Sequence, residues 1–380
     1  MQKINIKGLT LRELENFALS IGEKRFRGHQ LFDWLYSKQV STFDEMTSIS
    51  KLSKQKLAEC ASIESIKVLN TIVSKSDGTT KYLFELSDGC KIESVLIPPQ
   101  TAFDDPKAGS EEEQRRLTLC VSTQVGCSLG CEFCATGKMG FVRNLTTGEI
   151  IDQVIQTMDI TGRRVTNIVY MGMGEPFLNY ENVMNSLEIL ILGFGIAARR
   201  ITISTVGVVP QIRQLADEKW KVKLAVSLHT LDNEKRSRLI PLNRKFPLDE
   251  LLSIISYYYN KVKRRVTFEY ILFDGWNDTD MDINRLVKLS RTIPCKINII
   301  PFHSIAFTHP IGIASKLFPT PPKKVLDFVQ CLRESNVTVF IRSSTGEDIT
   351  AACGQLAILS EIKSTENFIR NPSRYGVETK

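Results

Sequence analysis

Leu117-Thr-Leu-Cys-Val-Ser-Thr-Gln-Val-Gly-Cys-Ser-Leu-Gly-Cys-Glu-Phe-Cys134 joins a strand-like segment, Leu117–Ser122, to a glycine-containing loop that carries three cysteines. Beyond it the rhythm repeats. Strand-like segments fall near Asn167–Met171, Arg200–Ser204, Lys223–Ser227, Val266–Leu272, Lys296–Ile300 and Val337–Ile341. Helical patterns lie between most of them, one opened by the capping box Thr146-Thr-Gly-Glu149. Repeated βα units predict an α/β fold with a parallel sheet, closed or partly closed into a barrel. In such barrels the active site is assembled from loops at the C-terminal ends of the strands. Every chemical motif is therefore expected just after a strand.

Toward the N-terminus the pattern differs. Thr10-Leu-Arg-Glu13 is a capping box opening an amphipathic stretch through Ile21. Helix-like spacing continues over about 25–37, with Phe26, Leu31, Trp34 and Leu35, and again over about 51–60. Strand-like segments at Ile66–Val73, Lys81–Leu86 and Lys91–Ile97 follow, separated by the hairpin signals Asp77-Gly78 and Asp88-Gly89. The expected organisation is a helical plus antiparallel-strand accessory module over 1–97 and a Pro-containing, charged linker over 98–116. A barrel domain over 117–345 and a C-terminal segment over 346–380 complete it.

The composition, 42% hydrophobic and 24% charged over 380 residues, is that of a globular protein. No apolar run approaches the ~20 residues that cross a bilayer, and the N-terminus has no signal-peptide core. No membrane association and a cytoplasmic location are expected. A formal charge of +7 is mild, although Arg115-Arg116, Arg163-Arg164, Arg199-Arg200, Lys261–Arg265 and Lys323-Lys324 are local basic clusters. Such clusters permit contact with phosphates but are equally the solvated ends of helices. Nine cysteines in a reducing compartment point to metal or redox chemistry rather than to a disulfide framework.

Cys127, Cys131 and Cys134, spaced C-x3-C-x2-C, can bind three irons of an iron–sulfur cube and leave the fourth open. A structural zinc would want a fourth Cys or His nearby, and the chain's four histidines, His29, His229, His303 and His309, all lie elsewhere. Met171-Gly-Met-Gly-Glu-Pro176 follows the next strand-like segment. Its glycines allow close approach of a ligand, and Glu175 offers a carboxylate to an amine. Ser204, and Ser227-Leu228-His229, also stand at strand ends, where polar groups either contact a ligand or cap the strand.

The cysteine spacing, with Phe133 before the third cysteine, resembles the radical S-adenosylmethionine (SAM) signature. The resemblance implies a partial (β/α)6 barrel with a 4Fe-4S cluster on Cys127, Cys131 and Cys134. SAM would chelate the open iron, with Gly174 and Glu175 holding its ammonium. VSTQVGCSLGCEFCATG, MGMGEPFLN, ISTVGVVP, AVSLH and above all Thr350-Ala-Ala-Cys-Gly-Gln355 are similar to the RlmN and Cfr family of RNA adenosine methyltransferases, over nearly the whole chain.

That resemblance implies a two-SAM mechanism. Cys353 is methylated, a radical removes hydrogen from its S-methyl group, and the resulting carbon radical adds to adenine. Cys120 then forms a disulfide with Cys353 and releases the methylated base, with Glu93 as proton acceptor. On the residues alone, Cys120 and Cys353 read equally as packing thiols and Glu93 as the outward residue of a strand. Cys60, Cys90, Cys295 and Cys331 match no functional position and read as small hydrophobes.

Gly174–Asn179 is RlmN-like, which implies carbon 2 of an adenosine in 23S rRNA and of the one 3′ of the tRNA anticodon. The Cfr type would modify carbon 8 of the ribosomal site. An external electron donor, such as a flavodoxin and its reductase, is implied as well. Two departures stand out: Pro301-Phe-His303 replaces a Pro-aromatic-Asn turn that contacts SAM in the family, and the stretch between Glu93 and Cys120 is long. A radical enzyme acting on a protein or small molecule, and an RNA-binding protein with a structural metal, are the competing readings.

Overall fold

The computed structural model describes residues 3–99, 116–342 and 345–358. Most of the expected linker, 100–115, and the end of the C-terminal segment, 359–380, lie outside the described residues.

Among the described residues ten strands form one sheet whose spatial order follows the chain. β1 (Lys67–Val73), β2 (Thr80–Glu85) and β3 (Lys91–Ile97) are the expected antiparallel meander. Gly78 and Gly89, at φ +70° and +84°, lie in its two turns. β4 (Thr118–Cys120), β5 (Asn167–Tyr170), β6 (Ile201–Thr205), β7 (Lys223–Ser227), β8 (Val266–Leu272), β9 (Cys295–Pro301) and β10 (Val339–Ile341) all pair in parallel. These are the seven predicted strands, shifted by a residue or two at their ends. β4 and β10 do not pair, so the barrel is open. The meander does not stand apart from it. Val95, Leu96 and Ile97 pair antiparallel with Cys120, Leu119 and Thr118, which extends the barrel sheet by three strands.

The central parallel strands are apolar and covered on both faces, as helical crossovers require. In β8 every residue except Thr267 is buried. β1, by contrast, is largely exposed and carries an irregularity between Val68 and Asn70, the bulge that commonly blunts a sheet edge.

At the N-terminus lie α1 (Leu11–Ser20), α2 (Phe26–Phe32), which runs on into a π-helical turn over Asp33–Ser37, and α3 (Lys51–Cys60). The barrel's first crossover is α4 (Thr147–Thr161), followed by α5 (Tyr180–Leu192) and α6 (Val209–Asp217). The capping boxes Thr10/Glu13 and Thr146/Glu149 both form, each worth about 1 kcal/mol.

The N-terminal helices dock on α4. Lys7 Nζ lies 2.8 Å from Asp152 Oδ1 in a buried ion pair, and Asp152 Oδ2 accepts from Ile66 N at 2.6 Å. Gly8 makes the contact possible: at φ +105° it sits where a Cβ would lie 2.3 Å from Gly148 N. Leu14, Leu31 and Tyr36 accordingly share one apolar core with Ile150, Leu187 and the sheet.

Candidate active site

The cysteine loop is held between two short strands, Gln124–Gly126 and Phe141–Asn144, which pair antiparallel. Cys127 N donates to Gly140 O at 2.7 Å, continuing that ladder, and Cys134 N donates to Cys131 O at 3.2 Å. Cys131 is buried and Cys127 and Cys134 are half-buried. Burial pushes the Cys127 thiol up to about 12, and the neighbouring charges of Cys134 and Glu175 add to it. Cys131 is raised for the same reasons. Among the described residues, no three His, Cys, Asp or Glu converge on a single ion. A cube does not need such convergence, because each iron takes its own thiolate.

Beyond β5 the chain turns at Gly174, whose φ of +98° and contact with Gln124 exclude a side chain. Gln124 Oε1 then accepts from Glu175 N at 2.9 Å and fixes the loop. Glu175 is 3% exposed. Its carboxylate accepts from Phe177 N at 3.1 Å and from Val206 N at 3.0 Å, and no basic side chain pairs with it among the described residues. Burial raises its pKa to about 7, against the pull of those N–H groups. A buried carboxylate without a cation is costly, and a cationic group placed beside it would offset that cost.

Ser204 and Ser227 lie half-buried at the C-terminal ends of β6 and β7. Leu228 is fully buried. His229 adopts φ +58° and is 1% exposed. Its Nδ1 accepts from Ile271 N at 3.0 Å, which puts the ring proton on Nε2, and that atom has no partner among the described residues. The ring meets Phe133 of the cysteine loop edge-on, centroids 4.5 Å apart. Burial takes its pKa down to about 3, so the ring is neutral. Three thiols, an unpaired carboxylate and an orphaned ring N–H around the same strand ends fit a cluster with SAM.

The segment bearing Cys353 crosses this mouth and is tied on both sides. Ala135 N donates to Gly354 O at 2.7 Å and Thr136 Oγ1 to Leu356 O at 2.6 Å, both from the cysteine loop. From the meander, Lys81 Nζ donates to Thr350 Oγ1 at 3.1 Å, and Glu93 Oε2 accepts from Ala357 N at 3.0 Å. Cys120, at the end of β4, and Cys353 line one cavity together with Cys134, Met171, His303 and Arg342. Burial raises the Cys120 thiol to about 12, and the charge of Cys353 acts in the same direction.

Two expected site residues have unexpected surroundings. Glu93 is buried, not outward, and lines a neighbouring cavity with Lys81, Thr350 and Ala357. His303 lines the Cys353 cavity, with its Nδ1 3.4 Å from Glu347 Oε1 but not aligned for a hydrogen bond. Of the remaining cysteines, Cys295 is buried, Cys60 and Cys90 are half-buried and Cys331 is exposed. Arg342 was not anticipated, although it follows strand β10 just as the other site residues follow theirs. Its Nη1 stands 3.8 Å from Glu269 Oε2 and donates to Met171 Sδ at 3.4 Å. Gln124 and Lys81 gave no signal at all.

An open parallel barrel with a three-cysteine loop and an unpaired carboxylate at its C-terminal mouth defines a radical SAM enzyme, and residues 121–287 match the Radical SAM superfamily. Residues 4–63 match the ribosomal RNA large subunit methyltransferase N-terminal domain. The chain belongs to the RlmN family of radical SAM methyltransferases. It is 44% identical to a "Probable dual-specificity RNA methyltransferase RlmN" of Thermotoga neapolitana, over 95% of this chain and 99% of that one. It is 41% identical to the "Dual-specificity RNA methyltransferase RlmN" of Alcanivorax borkumensis, over 93% and 90%. A solved radical SAM methyltransferase from Sphaerobacter thermophilus superposes with a TM-score of 0.81 at 41% identity, covering 93% of this chain and 99% of that one. The family implies a 4Fe-4S cluster and SAM. Among the described residues no helix is long and apolar enough to cross a membrane.

Proposed function

We propose that this chain methylates carbon 2 of an adenosine in 23S rRNA and of the adenosine 3′ of the tRNA anticodon, with Cys353 as methyl carrier. The observation that carries the reading is the shared cavity: Cys120 and Cys353, distant in sequence, face it together with Cys134 of the cysteine loop. The names of the relatives supply the RNA, and the RlmN-like run Gly174–Asn179 supplies carbon 2.

A cluster on Cys127, Cys131 and Cys134, with SAM bound, supplies the one-electron chemistry that an unactivated aromatic carbon requires. Glu175 receives the methionyl ammonium at the end of β5. Ser204, Ser227, Leu228 and His229 form the opposite wall, where the His229 ring N–H donates to the ligand. His303, in the Cys353 cavity, stands in for the family's asparagine as a single hydrogen-bond donor. The two-sided clamp on residues 350–357 holds Cys353 at the mouth. Cys120, once deprotonated, attacks the Cys353 sulfur: an S–S bond replaces the S–C bond, and the released carbon takes that electron pair and a proton. Glu93 serves as proton acceptor only after its bond to Ala357 N breaks, since it sits behind the clamped segment. The helical module and the basic clusters hold folded RNA by shape and phosphate contacts. Electrons come from an external donor of the flavodoxin type, and the setting is the cytoplasm.

The decisive experiment is mass spectrometry of the Cys353 peptide from a Cys120→Ala protein prepared anaerobically with SAM. A methyl group on that sulfur is expected, and an unmodified thiol contradicts the carrier role. Mapping the methyl group on modified RNA then separates carbon 2 from carbon 8.

A further inference from the structure

α7 (Asn233–Leu239) carries Arg236, which is 1% exposed, and among the described residues every hydrogen-bond partner of its guanidinium is a neutral oxygen. Nε donates to Leu228 O at 3.3 Å and Nη1 to Asn243 Oδ1 at 2.6 Å. Nη2 donates to Val206 O at 2.6 Å and to Ser227 O at 2.9 Å. Among the described residues no carboxylate pairs with it. A guanidinium removed from water without an anion is costly, because hydrogen bonds to carbonyls return only part of its hydration energy. Neutral donors could bridge the same four oxygens, so the charge itself calls for an explanation.

The neighbouring chemistry offers one. Glu132 N donates to Leu239 O at 3.0 Å, which lashes the end of α7 to the cysteine loop beside Cys131. Cys131 is also the group whose negative charge favours the guanidinium, opposing the burial that draws Arg236 down to about 10. The carbonyls it gathers belong to the residues ending β6 and β7, the wall assigned above to SAM.

We propose that Arg236 is a positioning residue that ties the ends of β6 and β7 together and whose fixed positive charge, buried beside the cysteine loop, would favour the reduced form of a cluster held there. This rests on the cluster assignment to Cys127, Cys131 and Cys134. A cube held by three thiolates is anionic and gains a further negative charge on reduction. A buried cation beside it therefore raises its reduction potential.

The test is an EPR-monitored redox titration of the full chain, reconstituted anaerobically with iron and sulfide and without SAM. Arg236→Gln removes the charge, Arg236→Lys keeps it, and Asn243→Asp leaves Arg236 in place while setting a carboxylate against it. At the midpoint of the unaltered chain, the reduced-to-oxidised ratio should fall at least tenfold in Arg236→Gln and Asn243→Asp, about 59 mV for one electron. It should stay within about threefold in Arg236→Lys. Titrations of Arg236→Gln and Asn243→Asp that overlay the unaltered chain overturn the proposal. So does Arg236→Lys falling as far as Arg236→Gln, which would leave the fork as a purely structural tie. If Arg236→Gln does not hold a cluster, Asn243→Asp decides alone. An unaltered chain that assembles no cluster overturns the underlying assignment, and this proposal with it, and that result is read before any variant is made.

Discussion

Lys81 Nζ lies 3.1 Å from Glu93 Oε1, and through this buried pair the meander grips both ends of the segment that presents Cys353. Lys81 reaches Thr350 on one side of that cysteine and Glu93 reaches Ala357 on the other. Burial raises the Glu93 carboxyl and Lys81 opposes it. Lys81→Met should therefore cost roughly 3–5 kcal/mol, the usual effect of stripping one partner from a buried pair. Adding Glu93→Gln should recover much of that loss. Urea denaturation of the single and double variants measures both, and a Lys81→Met protein as stable as the parent would contradict the pairing.

Thr136 Oγ1 donates to Leu356 O inside the fold, so Thr136→Val leaves that carbonyl without its partner. A cost of ~1–3 kcal/mol is expected, concentrated at the C-terminal segment. Hydrogen exchange should rise over residues 351–358 well before it rises in the barrel strands. Uniform protection in both places would rule out the tie.

Glu175 sets a pH dependence on the cluster-free protein. Its folded pKa is raised from the ordinary 4.5 to about 7, so the folded state holds a proton that the unfolded state has already released. The resulting stability is fully present below about 4.5 and is lost as pH rises toward 7, about 3 kcal/mol in all. Glu175→Gln should flatten that slope in denaturation at pH 5 and pH 8. An ammonium ligand reverses the preference, so SAM binding to the loaded enzyme should release a proton near neutrality. Calorimetry in buffers of different ionisation enthalpy detects that release.

His229 acts with the opposite sign. Its folded pKa falls from 6.5 to about 3, so its contribution is complete above 6.5 and disappears as pH falls toward 3. NMR of the imidazole carbon-bound protons should find no His229 titration between pH 5 and 8. A resonance of His229 moving with a midpoint near 6.5 would show that the ring is solvated.

Much of the architecture was readable from periodicity because the relevant residues obey local rules. The strand ends bearing Ser204 and Ser227, the Asp77-Gly78 and Asp88-Gly89 turns, and the caps at Thr10 and Thr146 are local in this sense. The pairing of Val95 with Cys120 was not readable, since the two strands are separated by a long polar stretch and no spacing records an antiparallel junction. Arg236 and Arg342 were missed for another reason. Arginine in a short polar helix or after an edge strand reads as surface, and only tertiary packing buries Arg236 and half-buries Arg342. Glu93 was found as a position, but its partners, Lys81 and Ala357, come from an adjacent strand and the far end of the chain.

The 2.7 Å bond from Ala135 N to Gly354 O makes the residue after Cys134 and the residue after Cys353 direct neighbours. A shift of either loop is thereby passed directly to the other, so the turn proposed to hold the cluster and the segment proposed to carry the methyl group are positioned together.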